Sequence, residues 1–242
     1  MKKEPFVSAI IVAAGSGTRM GGVSKPELTL GGKALLSYVT EAFLQSSVDE
    51  LIIVCGTNRP RLEALAPKNA PKPIRFCDGG STRTLSVFAG VNAADKRADY
   101  CCVHDCARPF VTKEIIEAVV EEAKKTGAST ACTPVTDTIK YVDEAHSLLY
   151  TPERKHLLAL QTPQVFRKSL YLAAYALASK AGSAFTDETA MLEQAGFRVS
   201  YVQCPASNRK LTTKEDLLLA RALVLLREKE EKEKANEDRS GI

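Results

Sequence analysis

Residues 6–14, FVSAIIVAA, are apolar or small at every position and run straight into Gly15-Ser16-Gly17. A strand with no polar face has to be covered on both sides, and a parallel sheet with helices packed above and below it does this. The first half of the chain keeps to that rhythm. Apolar residues fall at helical spacing over Ala34–Gln45, and a strand is predicted at Leu51–Cys55, a short helix at Arg59–Ala66 and a strand at Ile74–Cys77. A helix at Thr82–Ala94 with Ser81 as N-cap, a strand at Tyr100–Val103 and a helix at Thr112–Thr126 closed by Gly127 follow.

Between Ala128 and Phe166 the rhythm breaks into short strand-like runs separated by Pro, Asp and Ser, which predicts an antiparallel insertion or arm at about residues 134–160. Helical spacing returns at Leu170–Ser179 and Thr189–Gln194, and a strand at Arg198–Gln203 leads to a last helix in which Thr212 and Glu215 match a capping box. Its apolar residues stop near Arg227, so the charged segment 228–242 is expected to fray. With no repeat and no linker, residues 1–242 are expected to form a single α/β domain with an embedded arm.

Composition narrows the function. At 45% hydrophobic and 26% charged over 242 residues, disorder is excluded. Lys+Arg 33 against Asp+Glu 29, scattered rather than blocked, makes nucleic acid a poor partner. Seven cysteines without a C-x-x-C pair signal neither a disulfide framework nor a zinc site, and are expected as buried thiols. No apolar run reaches the roughly 18 residues of a membrane span. The first run passes into a glycine loop rather than a cleavage site, so a cytoplasmic protein is expected.

Three strand ends carry polar chemistry. Ala13-Ala14-Gly15-Ser16-Gly17-Thr18-Arg19-Met20 is either a tight turn or a loop whose amides close around phosphate oxygens. Arg19 and Lys25 favour the phosphate loop, since two cations suit the charge that grows in phosphoryl or nucleotidyl transfer. Asp78-Gly79-Gly80-Ser81 opens a helix with Ser86 one turn in, and serves either as a helix lead-in or as backbone that reads a base edge. At His104-Asp105-Cys106-Ala107-Arg108, the carboxylate either holds Mg²⁺ or pairs with Arg108 to fix the loop, and His104 reads as a packed residue. Further polar clusters at element ends, around Thr138, Arg154, Thr162, Thr186 and Lys210, could individually be caps or turns.

With AAGSGTRM, Lys25, DGGSTRTLSV, HDCARP, DTIK, QTPQ, TDE and NRKLT in one order, from about Ile10 to about Leu226, the chain resembles the 2-C-methyl-D-erythritol 4-phosphate cytidylyltransferases. The resemblance implies a Rossmann-like three-layer sandwich whose β-arm reaches into a second subunit to make a homodimer. It also implies attack of the substrate phosphate on the α-phosphorus of CTP, with Mg²⁺, giving a CDP-alcohol and pyrophosphate. On this chain it implies that Ala13, Ala14, Gly15, Ser16, Gly17 and Arg19 enclose the triphosphate and that Gly79, Gly80 and Ser86 read cytosine. Asp105 would sit by the ribose and Mg²⁺, and Arg19 and Lys25 would stabilise the transition state. Arg154, with its arm supplied by the partner subunit, and Lys210 would position the methylerythritol phosphate, and Arg108, Thr138, Thr162 and Thr186 would line the alcohol pocket. Ribitol 5-phosphate is the alternative substrate, and a non-catalytic nucleotide-binding homologue a further one. The chain departs from the common family pattern at Ser24-Lys25-Pro26-Glu27, Ser81 and Cys106.

Overall fold

The computed structural model describes residues 4–15, 24–181 and 185–240, the last residues of two helices (180–181, 227–228 and 230–240) by backbone alone. Strand β1 (Phe6–Val12) sends Val7, Ala9 and Ile11 into one apolar layer and Ile10 into the other, so the run without a polar face is buried on both sides. Strands β4 (Glu50–Cys55), β5 (Ile74–Asp78), β6 (Ala98–Asp105), β7 (Ala128–Pro134), β10 (Leu158–Arg167) and β11 (Ser200–Gln203) join it in the order β11-β7-β10-β6-β1-β4-β5. β10 runs antiparallel to both its neighbours, and the other pairings in this sheet are parallel.

Helices α1 (Leu35–Gln45), α2 (Arg59–Leu65) and α4 (Lys113–Thr126) cover one face, through Val39, Phe43, Leu62, Ile116 and Val120 among others. Helices α3 (Arg83–Ala93), α5 (Lys168–Ala181) and α6 (Glu188–Gln194) cover the other, through Val87, Val91, Tyr171 and Leu192. The result is the three-layer α/β sandwich expected from the alternation. A small β2–β3 hairpin (Thr29–Leu30, Lys33–Ala34) and helix α7 (Lys214–Ser240) enclose a third cluster around Leu30, Leu35, Phe110 and Leu211.

Between β7 and β10 the chain leaves the sheet and forms a separate two-stranded hairpin, β8 (Tyr141–Val142) and β9 (Leu148–Tyr150). Tyr141 and Tyr150 stack at 4.4 Å, but Val142, Leu148 and Leu149 stand exposed. Returning from it, β10 shifts register against β7 between Leu160 and Gln164, so that Gln161, Thr162 and Pro163 drop out of that ladder. Bulges of this kind re-aim side chains next to active sites. Here Thr162 reaches across to the end of β6.

Four local expectations need correcting. Helix α3 is capped by Thr82 rather than Ser81, its hydroxyl accepting from Leu85 N–H at 3.1 Å. Helix α6 is capped by Asp187 rather than Thr186. The capping box of α7 pairs Thr213 with Asp216, one residue beyond Thr212 and Glu215: the Thr213 hydroxyl accepts from Asp216 N–H at 3.2 Å, and the Asp216 carboxylate accepts from Thr213 N–H at 2.9 Å. In each case a side chain with the same chemistry stands one position along and meets the N3 amide. The segment expected to fray after Arg227 continues as helix to Ser240.

Candidate active site

Parallel strands deliver their loops to one rim, at their carboxyl ends. There the backbone ties the loops together: Ala13 N–H donates to Val54 O at 2.9 Å, Gly79 N–H to Cys55 O at 2.7 Å and Cys106 N–H to Val12 O at 3.1 Å. A cavity of about 450 Å³ opens there, lined by Ala13, Ala14, Gly15, Lys25, Gly80, Ser86, Asp105 and Lys210 among others. Ser16, Gly17 and Arg19 lie outside the described residues.

The second glycine turn packs too tightly for side chains. A Cβ on Gly79 would lie 2.8 Å from both Ala14 Cβ and Ser86 Oγ, and one on Gly80 would lie 2.3 Å from Leu85 Cβ. The Ser86 hydroxyl accepts from Gly80 N–H at 3.1 Å and donates to Thr82 O at 2.9 Å, bracing the turn from beneath while Ser86 lines the cavity.

Asp105, at the last residue of β6, is the electrostatic centre. Its Oδ2 accepts from Lys210 Nζ at 2.6 Å and its Oδ1 from Arg83 Nη2 at 3.1 Å. Burial pushes its carboxyl up, but Arg83 and Lys210 outweigh burial and hold it well below the usual carboxylate range, so it is an anion at neutral pH. The Asp105–Arg108 pair, the alternative to a Mg²⁺ role for this carboxylate, does not form. Arg108 is buried and turns away, donating to Asn208 O at 2.9 Å and towards Leu160 O at 3.5 Å.

His104 is a packed residue. The Thr162 hydroxyl accepts from Asp105 N–H at 3.0 Å, leaving its proton for His104 Nδ1 at 3.1 Å, so the imidazole carries its own proton on Nε2 and donates it to Arg108 O at 3.1 Å. Full burial pushes this imidazole down to about 4. The cysteines are free, and burial raises their thiols, Cys101 to about 12, so the Cys101, Cys102 and Cys106 group is inert core.

The structure therefore brings Ala13, Ala14, Gly15, Lys25, Gly80, Ser86, Asp105 and Lys210 to one cavity, with Gly79 in its adjoining wall and Thr162 and Arg108 buried behind it. Lys25 donates to Leu211 O at 3.0 Å, which links the first loop to the segment carrying Lys210. Thr138 and Arg154 sit apart, exposed on the arm, where Arg154 donates to Thr136 O at 2.9 Å. Thr186 is exposed just before α6. Two members of the site were not anticipated. Arg83, in the first turn of α3, lines the cavity, and Glu188, in the first turn of α6, meets it with both oxygens at 2.8 and 2.9 Å. Each stands two positions beyond a predicted cap and inside a motif that carries the resemblance, DGGSTRTLSV or TDE, but nothing local signals their pairing, which joins residues 105 apart in the chain.

Asp105 is the donor that suits a divalent cation. Among the described residues no group of three or more His, Cys, Asp or Glu side chains forms, so a cation here would take most of its ligands from a bound nucleotide and water. Mg²⁺ commonly binds in this way, through one carboxylate plus phosphates. Asp105 Oδ1 accepts from both Nε and Nη2 of Arg83, but Oδ2, which accepts from Lys210, keeps a second lone pair, so the residues present fit the ion.

Comparison with known proteins agrees with this geometry. The chain is 40% identical over 219 residues to the 2-C-methyl-D-erythritol 4-phosphate cytidylyltransferase of Caldanaerobacter subterraneus subsp. tengcongensis, covering 88% of this chain and 96% of that one. It is 38% identical over 225 residues to the protein of the same name from Shouchella clausii, covering 91% and 97%. The crystal structure of 4-diphosphocytidyl-2C-methyl-D-erythritol synthase from Anaerococcus prevotii superposes with a TM-score of 0.82 at 30% identity, over 92% of this chain and all of that one. The cytidylyltransferase structure from Thermus thermophilus superposes with a TM-score of 0.75 at 32% identity, over 90% and 98%. The family model described as IspD, 2-C-methyl-D-erythritol 4-phosphate cytidylyltransferase, matches residues 7–226, and the chain belongs to this family.

Proposed function

We propose that this chain joins CTP and 2-C-methyl-D-erythritol 4-phosphate to give 4-diphosphocytidyl-2-C-methyl-D-erythritol and pyrophosphate. The observation that carries the reading is the meeting of Lys25, Asp105 and Lys210 with Ala13–Gly15, Gly80 and Ser86 at one cavity on the sheet rim. A phosphate oxygen attacks the α-phosphorus, the new O–P bond forms as the bond to the β-phosphate oxygen breaks, and pyrophosphate leaves with that electron pair. Two anions must approach each other, so the site's work is neutralisation and positioning. The attacking phosphate is already ionised near neutral pH and needs no general base. His104 offers none, because both its ring nitrogens are occupied away from the cavity.

In this reading amides of the first loop, with Arg19, hold the triphosphate, and Lys25 neutralises charge at the α-phosphorus. Backbone of Gly79 and Gly80 selects cytosine, whose exocyclic amine donates where uracil accepts; a mismatched buried pair costs about 1–3 kcal/mol. Asp105 would hold Mg²⁺, which when bound supplies further positive charge to the phosphates. Lys210 binds the alcohol's phosphate, and Arg108, Thr162 and Thr186 surround the alcohol. The exposed apolar hairpin with Thr138 and Arg154 supports a homodimer in which each arm completes the other subunit's site. No helix among the described residues is long and apolar enough to cross a membrane, and we place the enzyme in the cytoplasm with no nucleic acid partner.

A coupled pyrophosphate assay with CTP, Mg²⁺ and each alcohol phosphate tests the reading. Turnover is expected with methylerythritol phosphate, and turnover confined to ribitol 5-phosphate would reject that substrate. Family and relatives favour the former. Stabilisation by CTP without any pyrophosphate release would point instead to a non-catalytic homologue.

A further inference from the structure

From the cavity wall inward, four side chains form a series of alternating charge: Lys210, Asp105, Arg83 and Glu188. The two cations that share Asp105 are held very differently. Arg83 grips Glu188 with Nη1 against both carboxylate oxygens and turns Nε and Nη2 to Asp105 Oδ1 at 3.3 and 3.1 Å. Glu188 is fully buried and itself fastened, since Gln164 Oε1 accepts from its N–H at 3.2 Å and Gln164 Nε2 donates to the neighbouring Asp187 at 3.1 Å. Lys210 reaches the same aspartate with a single ammonium on a four-carbon stem, and its side chain is 36% exposed at the cavity wall.

An anionic nucleotide entering this cavity repels Asp105 and attracts Lys210. If Lys210 were the sole partner of Asp105, its departure would leave the carboxylate free to rotate away from the rim. Arg83 prevents this because its planar fork satisfies two carboxylates at once, which an ammonium does not. Resting on the cytidylyl-transfer reading, we infer that Arg83, anchored by Glu188, is a positioning residue: it keeps Asp105 in one rotamer through Oδ1, so that Lys210 alone exchanges from Asp105 Oδ2 to the arriving phosphate.

The test is a double-mutant cycle on the full-length enzyme, read as kcat, KM for both substrates, CTP affinity by calorimetry and thermal midpoint. Arg83→Lys is expected to lower kcat about 10²-fold, as for a misplaced reacting group, with CTP affinity changed by less than about threefold. Glu188→Gln, close in shape but uncharged, is expected to lower kcat about tenfold with the same split. In an Asp105→Asn background neither substitution should lower kcat further by more than about threefold, because both act through that carboxylate. Additive losses, or a loss of CTP affinity with kcat unchanged, would overturn the inference. Should Arg83→Lys fail to fold, Glu188→Gln decides; failure of both to fold makes the pair purely structural and overturns it too. Wild-type pyrophosphate release judges the function separately: turnover by wild type with an additive cycle rejects the role of Arg83 alone, whereas no wild-type turnover with either alcohol phosphate rejects the function, and with it any reaction for Arg83 to position.

Discussion

The rim and the arm both carry residues that the family resemblance assigns to one reaction, but they are built in opposite ways. Rim residues are fixed by partners from other segments: Asp105 by Arg83, Lys210 and Thr162, the glycine turn by Ser86, and Arg108 by carbonyls. Arm residues hang on a ladder of two and three residues whose apolar side chains face outward. A short two-stranded hairpin is marginal alone. A preorganised half and an unsupported half make one site only if something braces the second, and another subunit's surface is the brace we propose.

That contrast can be broken at its strongest point first. Lys25→Ala, which removes a bond to Leu211 O at the rim and leaves the apolar layers untouched, should keep the fold intact yet lower turnover on the order of 10²-fold or more. Near wild-type rates in the pyrophosphate assay would remove Lys25 from the chemistry. Arg154→Ala, on the arm, should cost about tenfold or more. It should also be rescued in trans: mixing Lys25→Ala and Arg154→Ala subunits places an intact rim opposite an intact arm in half the sites of the mixed dimers, so about a quarter of wild-type activity returns. No recovery after subunit exchange would confine each site to one chain.

The smallest effect separates the two regions by pH. His104 sits near 4 folded against 6.5 as its ordinary value, so the unfolded chain binds the extra proton first as pH falls. Its contribution is fully present above about 6.5 and is lost as pH drops towards 4; by pH 5.5 roughly 1 kcal/mol has gone. Hydrogen exchange should show falling protection of β6 and its neighbours over that window, while the 141–150 hairpin exchanges rapidly throughout. Unchanged protection of β6 between pH 7 and 5.5 would mean that His104 is not held neutral.

Much of the fold was legible in the chain because burial leaves a periodic trace. β1 without a polar face, the stripe of Ile115, Ile116, Val119 and Val120 in α4, and Gly127 in the left-handed region at its end each follow from local chemistry. The caps were misplaced by one residue at Ser81, Thr186 and Thr212 because neighbouring Thr and Asp offer the same hydroxyl or carboxylate, and only backbone geometry chooses between them. The loops at the rim were legible as a set rather than singly, since a glycine turn after one strand serves equally as a tight turn or a helix lead-in, and only their recurrence at successive strand ends points to one rim. The partner of Asp105 was not. Arg108, three residues away, was the obvious candidate, yet Arg83 and Lys210 took the place from distant segments.

The order of strands and helices, the rim as the place of chemistry and the cations it needs were set by the sequence, because alternation of apolar segments and glycine-rich strand ends are local properties. Which charges meet there was decided by the tertiary structure. An ion pair depends on where two side chains end in space, and the sheet order that places β6 between β1 and β10, with α3 and α6 on the same face, is the outcome of packing the whole chain.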